Sequence, residues 1–282
     1  MAVREFVSDP ADPAMAGNEC QRVAVLIPAY NPGDAINDAV ASIVANTYPS
    51  DIYVVDDGSE IPVADILESF PRVTVIRLDK NVGVARALNV GLEIILARTY
   101  EFVARMDADD VCYPDRIASE VEFLEGHPEI AAVGAWVRHI DGVTGRPLFI
   151  QRTPASPEAV KKALNYNAAI VHITFMVRAD VLRRVGPYSE DYPVAEDYEL
   201  FRRIVQEYPI ANIPRVLVDR NLSPKGVSLT RRRSQLMDRL RIQLLYFDPL
   251  EPAAWSGVLK TLLLFLVPSP LLVKIKAHRS QA

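Results

Sequence analysis

The chain has 282 residues, 50% of them hydrophobic and 24% charged, which suits one large α/β domain or two small ones and excludes wholesale disorder. A net charge of −5 gives no global electrostatic case for nucleic-acid binding, and no nucleic acid is expected as a partner. Two cysteines, Cys20 and Cys112, form no CxxC pair, so no zinc site or disulfide framework is readable and a reducing compartment fits.

In chain order, residues 1–20 lack the apolar core of a signal peptide and read as a loose leader. "VAVLIP" (23–28) is a short apolar run stopped by proline, as a buried strand would be. "DAINDAVASIVANT" then sets Ile36, Ala39, Val40, Ile43 and Val44 on one helical stripe. "IYVVDD" (52–57) and "VTVIRL" (73–78) read as strands, and Val84, Leu88, Leu92 and Ile95 mark a helix. "EFVARM" is the next strand, and "PDRIASEVEFLE" a helix with proline in its favoured first turn. Strand and helix alternate in units of roughly 30 residues, which predicts right-handed βαβ units and a parallel sheet.

After Glu129 the pattern loosens. "IAAVGAWVRHI" reads as a strand, "DGVTGRP" as a turn and "HITFMVR" as strand-like. "AEDYELFRRIVQEY" is helical, with Leu200, Phe201, Ile204, Val205 and Tyr208 on one face. Near the end, "LLLFLV" (262–267) is too short to span a bilayer, which takes about 20 apolar residues. From Trp255 to Ala282 there are four basic residues, Lys260, Lys274, Lys276 and Arg279, and no acid. Such a stretch suits an anionic membrane surface, or a helix packed on the domain.

Open α/β sheets bind ligands at the carboxyl ends of their strands, and the polar clusters sit there. "PAYN" (28–31) follows the first strand and could lay backbone along a planar base, although Pro and Asn also simply make turns. "VDDGS" (55–59) ends the second with an aspartate able to accept from a base N–H. In "NVGVARALNVG" (81–91), Arg86 lies one turn into a helix, where its planar fork can meet a phosphate or a surface acid. "DADD" (107–110) sets Asp107 and Asp109 two apart, so both can face one side of an extended loop; oxygen-only ligands suit Mg²⁺ or Mn²⁺. Asp110 is expected to point away or to cap the following helix. Glu196 and Asp197 open a helix, where acids offset the dipole or supply a catalytic base. His172 is one of four histidines, and "PKGVSLTRRR" (224–233) is a basic loop that could fold over phosphates.

Together and in order, "VLIPAYN", "YVVDDGS", "NVGVARALNVGL", "RMDADDVCYPDRI" and "AEDYELFRRI" resemble an inverting nucleotide-sugar glycosyltransferase of family two, over about residues 23 to 208. The resemblance implies a GT-A fold: a mixed, mostly parallel sheet flanked by helices, with C-terminal helices. It implies a catalytic domain at 21–220, with a nucleotide-binding half at 21–129 and an acceptor half at 130–220, then a basic loop and helical tail at 221–282. By position, Pro28, Ala29, Tyr30, Asn31 and Asp57 would hold a uracil-type base, and Arg86 would lie near base and diphosphate. Leu88 before Asn89 is a common variation of that motif. Asp107 would serve the ribose and the Mn²⁺ or Mg²⁺, Asp109 the metal directly, and Asp197 the base; Glu196 and His172 would line the acceptor side. The implied partners are a nucleotide-sugar donor and a glycan or lipid-linked acceptor, in a cytoplasmic enzyme peripheral to the inner face of the cell membrane. No "QxxRW" motif follows the "ED" helix, which argues for single-sugar addition. A sugar nucleotidyltransferase would need a basic glycine-rich loop, and "PAYNPGD" has no Lys or Arg. An inactive binding module would lack an acid at 109 or 197, and a phosphohydrolase would need clustered histidines.

Overall fold

The computed structural model describes residues 21–222 and 232–266; the leader, most of the basic loop and residues 267–282 lie outside the described residues. Four parallel strands, β1 (Val23–Ala29), β2 (Asp51–Asp56), β3 (Val73–Arg77) and β4 (Phe102–Arg105), lie in the order β3-β2-β1-β4. Six of the seven β1 residues are buried, because helices cover both faces. On one face, α1 (Ala35–Val44) packs Ile36, Ala39, Val40 and Ile43 with Val23, Val25 and Ile27. On the other, α3 (Val84–Leu96) packs Leu88, Leu92 and Ile95 with Ala24 and Leu26. A four-residue turn of helix, α2 (Val63–Ile66), links β2 to β3. Val44, expected on the α1 stripe, is 61% exposed because it ends the helix.

The sheet continues as β8-β6-β9-β5, with β7 on β6. These are β5 (Val111–Cys112), β6 (Ala132–Asp141), β7 (Pro147–Gln151), β8 (Met176–Arg178) and β9 (Ile210–Leu222). β8 is antiparallel to β4 and β6, β9 is parallel to β6, and β5 is antiparallel to β9. The expected mixture of parallel and antiparallel strands is therefore what forms. The described helices are completed by α4 (Arg116–Gly126), α5 (Pro157–Ala163), α6 (Ala179–Val185), α7 (Glu196–Ile204), α8 (Arg232–Leu245) and α9 (Pro252–Leu266).

Three local expectations need correction. Pro114 lies before α4 rather than in its first turn, and Asp115 is the N-cap. "HITFMVR" is half strand: His172–Thr174 is a 3₁₀ turn and only Met176–Arg178 joins the sheet. The longest strand, β9, was not anticipated. Pro214 lacks the N–H a ladder needs, and pairing passes from Ala135↔Ile213 to Trp136↔Val216 across it. Among the described residues, no helix is long and apolar enough to cross a membrane.

Candidate active site

Strands β2, β1 and β4 are parallel neighbours, so their carboxyl ends share one edge of the sheet. At the β1 and β2 ends, Asn31 adopts φ 47° and clasps two loops together. Its Oδ1 accepts the Glu60 N–H at 2.8 Å and its own N–H donates to Ser59 Oγ at 2.9 Å. Pro28 is half-buried and Ala29 buried, with the Ala29 carbonyl accepting the Asp57 N–H; Tyr30 is 53% exposed at the rim. Asp56 is fully buried and structural: it accepts from the N–H groups of Ser59 and Val63 and pairs with Arg77 at 2.5 Å.

Asp57 faces the start of α3. Its Oδ1 accepts the Val82 N–H at 2.7 Å and its Oδ2 the Gly83 N–H at 3.0 Å. Burial pushes its pKa up while these two bonds oppose the rise. Each oxygen retains a second lone pair for a ligand donor. One turn further, Arg86 pairs with Glu190 at 3.0 Å, both half exposed. Asn89 brackets Tyr188, donating to its carbonyl and accepting its N–H, each at 2.9 Å. The Tyr188 hydroxyl in turn meets His172 Nε2 at 2.8 Å. Burial, then Arg105 and Arg220, hold His172 well below its ordinary pKa, so it is neutral.

At the end of β4, Asp107, Asp109 and Asp110 bring carboxylate oxygens within 4.8 Å of one another. Asp107 is bound by Arg105 at 2.5 Å, and the Arg105 carbonyl accepts from the fully buried Arg116 at 2.8 Å. Asn221 of β9 ties down the loop: its N–H donates to Asp110 Oδ1 at 2.9 Å and its Nδ2 to the Asp109 carbonyl at 2.6 Å. Asp110 therefore neither points away nor caps α4; it joins the cluster. Its Oδ2 is buried without a partner, and burial, then Asp107 and Asp109, push its pKa up to about 8. Asp109 is exposed at the rim of the cluster, yet desolvation of its carboxylate and then Asp107 raise its pKa. An all-oxygen set with an orphaned carboxylate oxygen fits a hard divalent cation, which would relieve this repulsion.

The start of α7 completes the site. Glu196 is pushed up to about 8 by burial and then by Asp197; Asp107 adds to the rise and Arg105 opposes it. Asp197 is raised by burial, opposed by its bond to the Tyr198 N–H and by Arg105 and Arg220. The two acids and the triad thus share one electrostatic neighbourhood, with Arg105 common to both. Arg105, Arg220, Tyr188 and Arg239, which also feels Asp197, escaped the sequence reading. Arg105 carried a readable signal, a lone cation closing a buried strand.

A mixed sheet whose parallel strands carry an acidic, cation-fitting corner at their carboxyl edge, with the buried Glu196 and half-buried Asp197 beside it, is the arrangement of the nucleotide-diphospho-sugar transferase class of α/β protein. Residues 24–186 match Glycosyl transferase family 2, and the chain belongs to that family. It is 32% identical over 206 residues to the amylovoran biosynthesis glycosyltransferase AmsE of Erwinia amylovora, spanning 69% of this chain and 74% of that one. It is 27% identical to the UDP-Gal:alpha-D-GlcNAc-diphosphoundecaprenol beta-1,3-galactosyltransferase of Escherichia coli, over 67% of this chain and 69% of that one. Among solved structures, S. aureus TarS 1–349 in complex with UDP-GlcNAc superposes with a TM-score of 0.64 at 18% identity, covering 86% of this chain and 72% of that one. The mannosyltransferase PcManGT of Pyrobaculum calidifontis, in complex with GDP-Man and Mn²⁺, gives 0.63 at 20% identity, covering 93% and 74%. The fold is GT-A.

Proposed function

We propose that the chain transfers one sugar from a UDP-sugar to a hydroxyl of a glycan or lipid-linked acceptor, with inversion, in cell-surface polysaccharide synthesis. The observation that carries this reading is the shared setting of the Asp107–Asp109–Asp110 cluster and the Glu196–Asp197 pair around Arg105. The polysaccharide and lipid-linked activities named for the two relatives support the acceptor class, and the UDP-GlcNAc held by TarS supports the donor. Residues 21–220 form the catalytic unit of this reading. A lipid-linked acceptor would bring the enzyme to the inner face of the cell membrane.

Tyr30, Asn31 and Asp57, with the backbone at Pro28 and Ala29, receive the base. Asp109, with Asp107, would hold Mn²⁺ or Mg²⁺, which when bound neutralises charge on the departing diphosphate. Arg86 leaves Glu190 to meet the diphosphate, a planar fork moving from one anion to another. The acceptor oxygen forms a bond to the anomeric carbon as the bond from that carbon to the diphosphate oxygen breaks. Asp197 takes the acceptor proton, and the nucleoside diphosphate departs with the electron pair. Glu196 and His172 line the acceptor side; the neutral imidazole can hydrogen-bond a hydroxyl without adding charge. A screen of nucleotide sugars with Mn²⁺ or Mg²⁺, repeated with EDTA, tests the class. Asp197→Asn is expected to cut kcat by about 10²- to 10⁴-fold. Turnover that survives either EDTA or this substitution overturns the corresponding assignment.

A further inference from the structure

Helix α9 is built inside out. Its buried residues are the small ones, Ala253, Ala254, Gly257 and Thr261. Gly257 makes the closest approach, since a Cβ there would lie 1.9 Å from the Asn165 carbonyl oxygen. Beside it, Ser256 Oγ meets the Tyr166 hydroxyl at 2.7 Å and Lys260 lies over the Tyr166 ring. The bulky apolar residues face outward: Trp255 is 60% exposed, Leu259 58%, Leu262 46%, Leu263 52% and Leu266 78%. At about 100° per residue, all five fall within about 60° of the direction opposite Gly257. A helix packed only on a globular body turns its leucines inward.

Charge chooses the occupant of this face. From Pro252 onward the sequence holds Lys260, Lys274, Lys276 and Arg279 and no acid, although the whole chain carries −5. A second copy docked on this face would bring two basic segments together, whereas an anionic surface attracts them and repels the acidic body. We propose that α9 lies on an anionic lipid bilayer, with Trp255, Leu259, Leu262, Leu263 and Leu266 at the headgroup–acyl boundary. This deepens the lipid-linked reading of the acceptor, and the binding itself stands independently of it. The contact holds the catalytic domain at the surface from which such an acceptor would be drawn.

Flotation of the full chain with vesicles tests it, comparing phosphatidylcholine alone with phosphatidylcholine containing about 30% phosphatidylglycerol. The wild type is expected to float with the anionic vesicles and only weakly with the neutral ones. The exposed double substitution Leu259→Ser/Leu263→Ser is expected to lower the partition coefficient about tenfold or more, with an unchanged circular dichroism spectrum. Its turnover on a soluble acceptor stays at the wild-type level. No flotation of the wild type, undiminished flotation of the double variant, or a wild-type dimer that the variant dissociates would each overturn the proposal. Normal flotation without sugar transfer would instead overturn the transferase reading.

Discussion

Arg105 is a buried cation whose Nε and Nη1 have no partner, with Nη2 on Asp107. It opposes the raised pKa of both Glu196 and Asp197. In the proposed reaction Asp197 must be ionised to take a proton, so activity is expected to rise with pH through a limb above the ordinary carboxylate range. Arg105→Gln removes the opposing charge, raises that pKa further and should move the limb to higher pH. A kcat–pH profile checks this; a limb that stays put removes Arg105 from the electrostatics. Asp109→Ala should abolish the Mn²⁺-dependent part of nucleotide binding, read by calorimetry with and without EDTA. Asp107 and Asp109 do come together as expected, but through a turn at Ala108–Asp109 rather than on one side of an extended chain. Asp110 was misread because the chain turns directly after the strand, which spacing does not reveal. Arg220 was invisible because it lies on a strand that the sequence pattern conceals.

Two elements set the loops that carry these residues. In α4, the fully buried Arg116 binds the buried Glu120 at 3.0 Å while supporting the Arg105 carbonyl. Burial pushes Glu120 up from 4.5 to about 7, against the pull of Arg116. A raised carboxyl favours the fold while it is protonated below its unfolded value, and that contribution is lost as pH rises through the folded one. Glu120→Gln loses the pair but does not ionise, so its stability deficit against wild type should shrink as pH climbs from 4.5 to 7. Urea midpoints at several pH values measure the gap, and a gap independent of pH refutes the assignment. In the turn after β2, Gly58 has φ 73°, and a Cβ there would lie 2.5 Å from the Lys80 carbonyl carbon. Gly58→Ala should destabilise by at least about 1 kcal/mol and weaken nucleotide binding by displacing the backbone towards Val82 and Gly83. Thermal melts and a nucleotide titration read both effects. The strands β1 to β4 were legible because burial on both faces leaves near-continuous apolar runs. β9 was not, since Pro214, Arg215, Asp219 and Arg220 interrupt its pattern.

At the scale of the whole molecule, the first half obeys the βαβ rule and is readable element by element. The second half inserts β8, β6 and β9 by long-range pairing, which no local period announces. Asp109 and Asp110 are tied to Asn221, which lies 112 and 111 residues further along the chain. Likewise, Val111 and Cys112 pair with Asp219 and Val218. Cys112 is buried in that pairing, so its thiol is a native reporter of it. In refolding from urea, with Cys20→Ser as background, Cys112 should become protected from alkylation in the slowest phase, because distant partners close last. Protection in the earliest phase would contradict this order. Translation makes the same point in time. A chain emerging from the ribosome can complete the loops at the β1 and β2 ends early, yet its acidic corner waits for the last strand. A product terminated before Asn221 therefore lacks the clasp on Asp109 and Asp110.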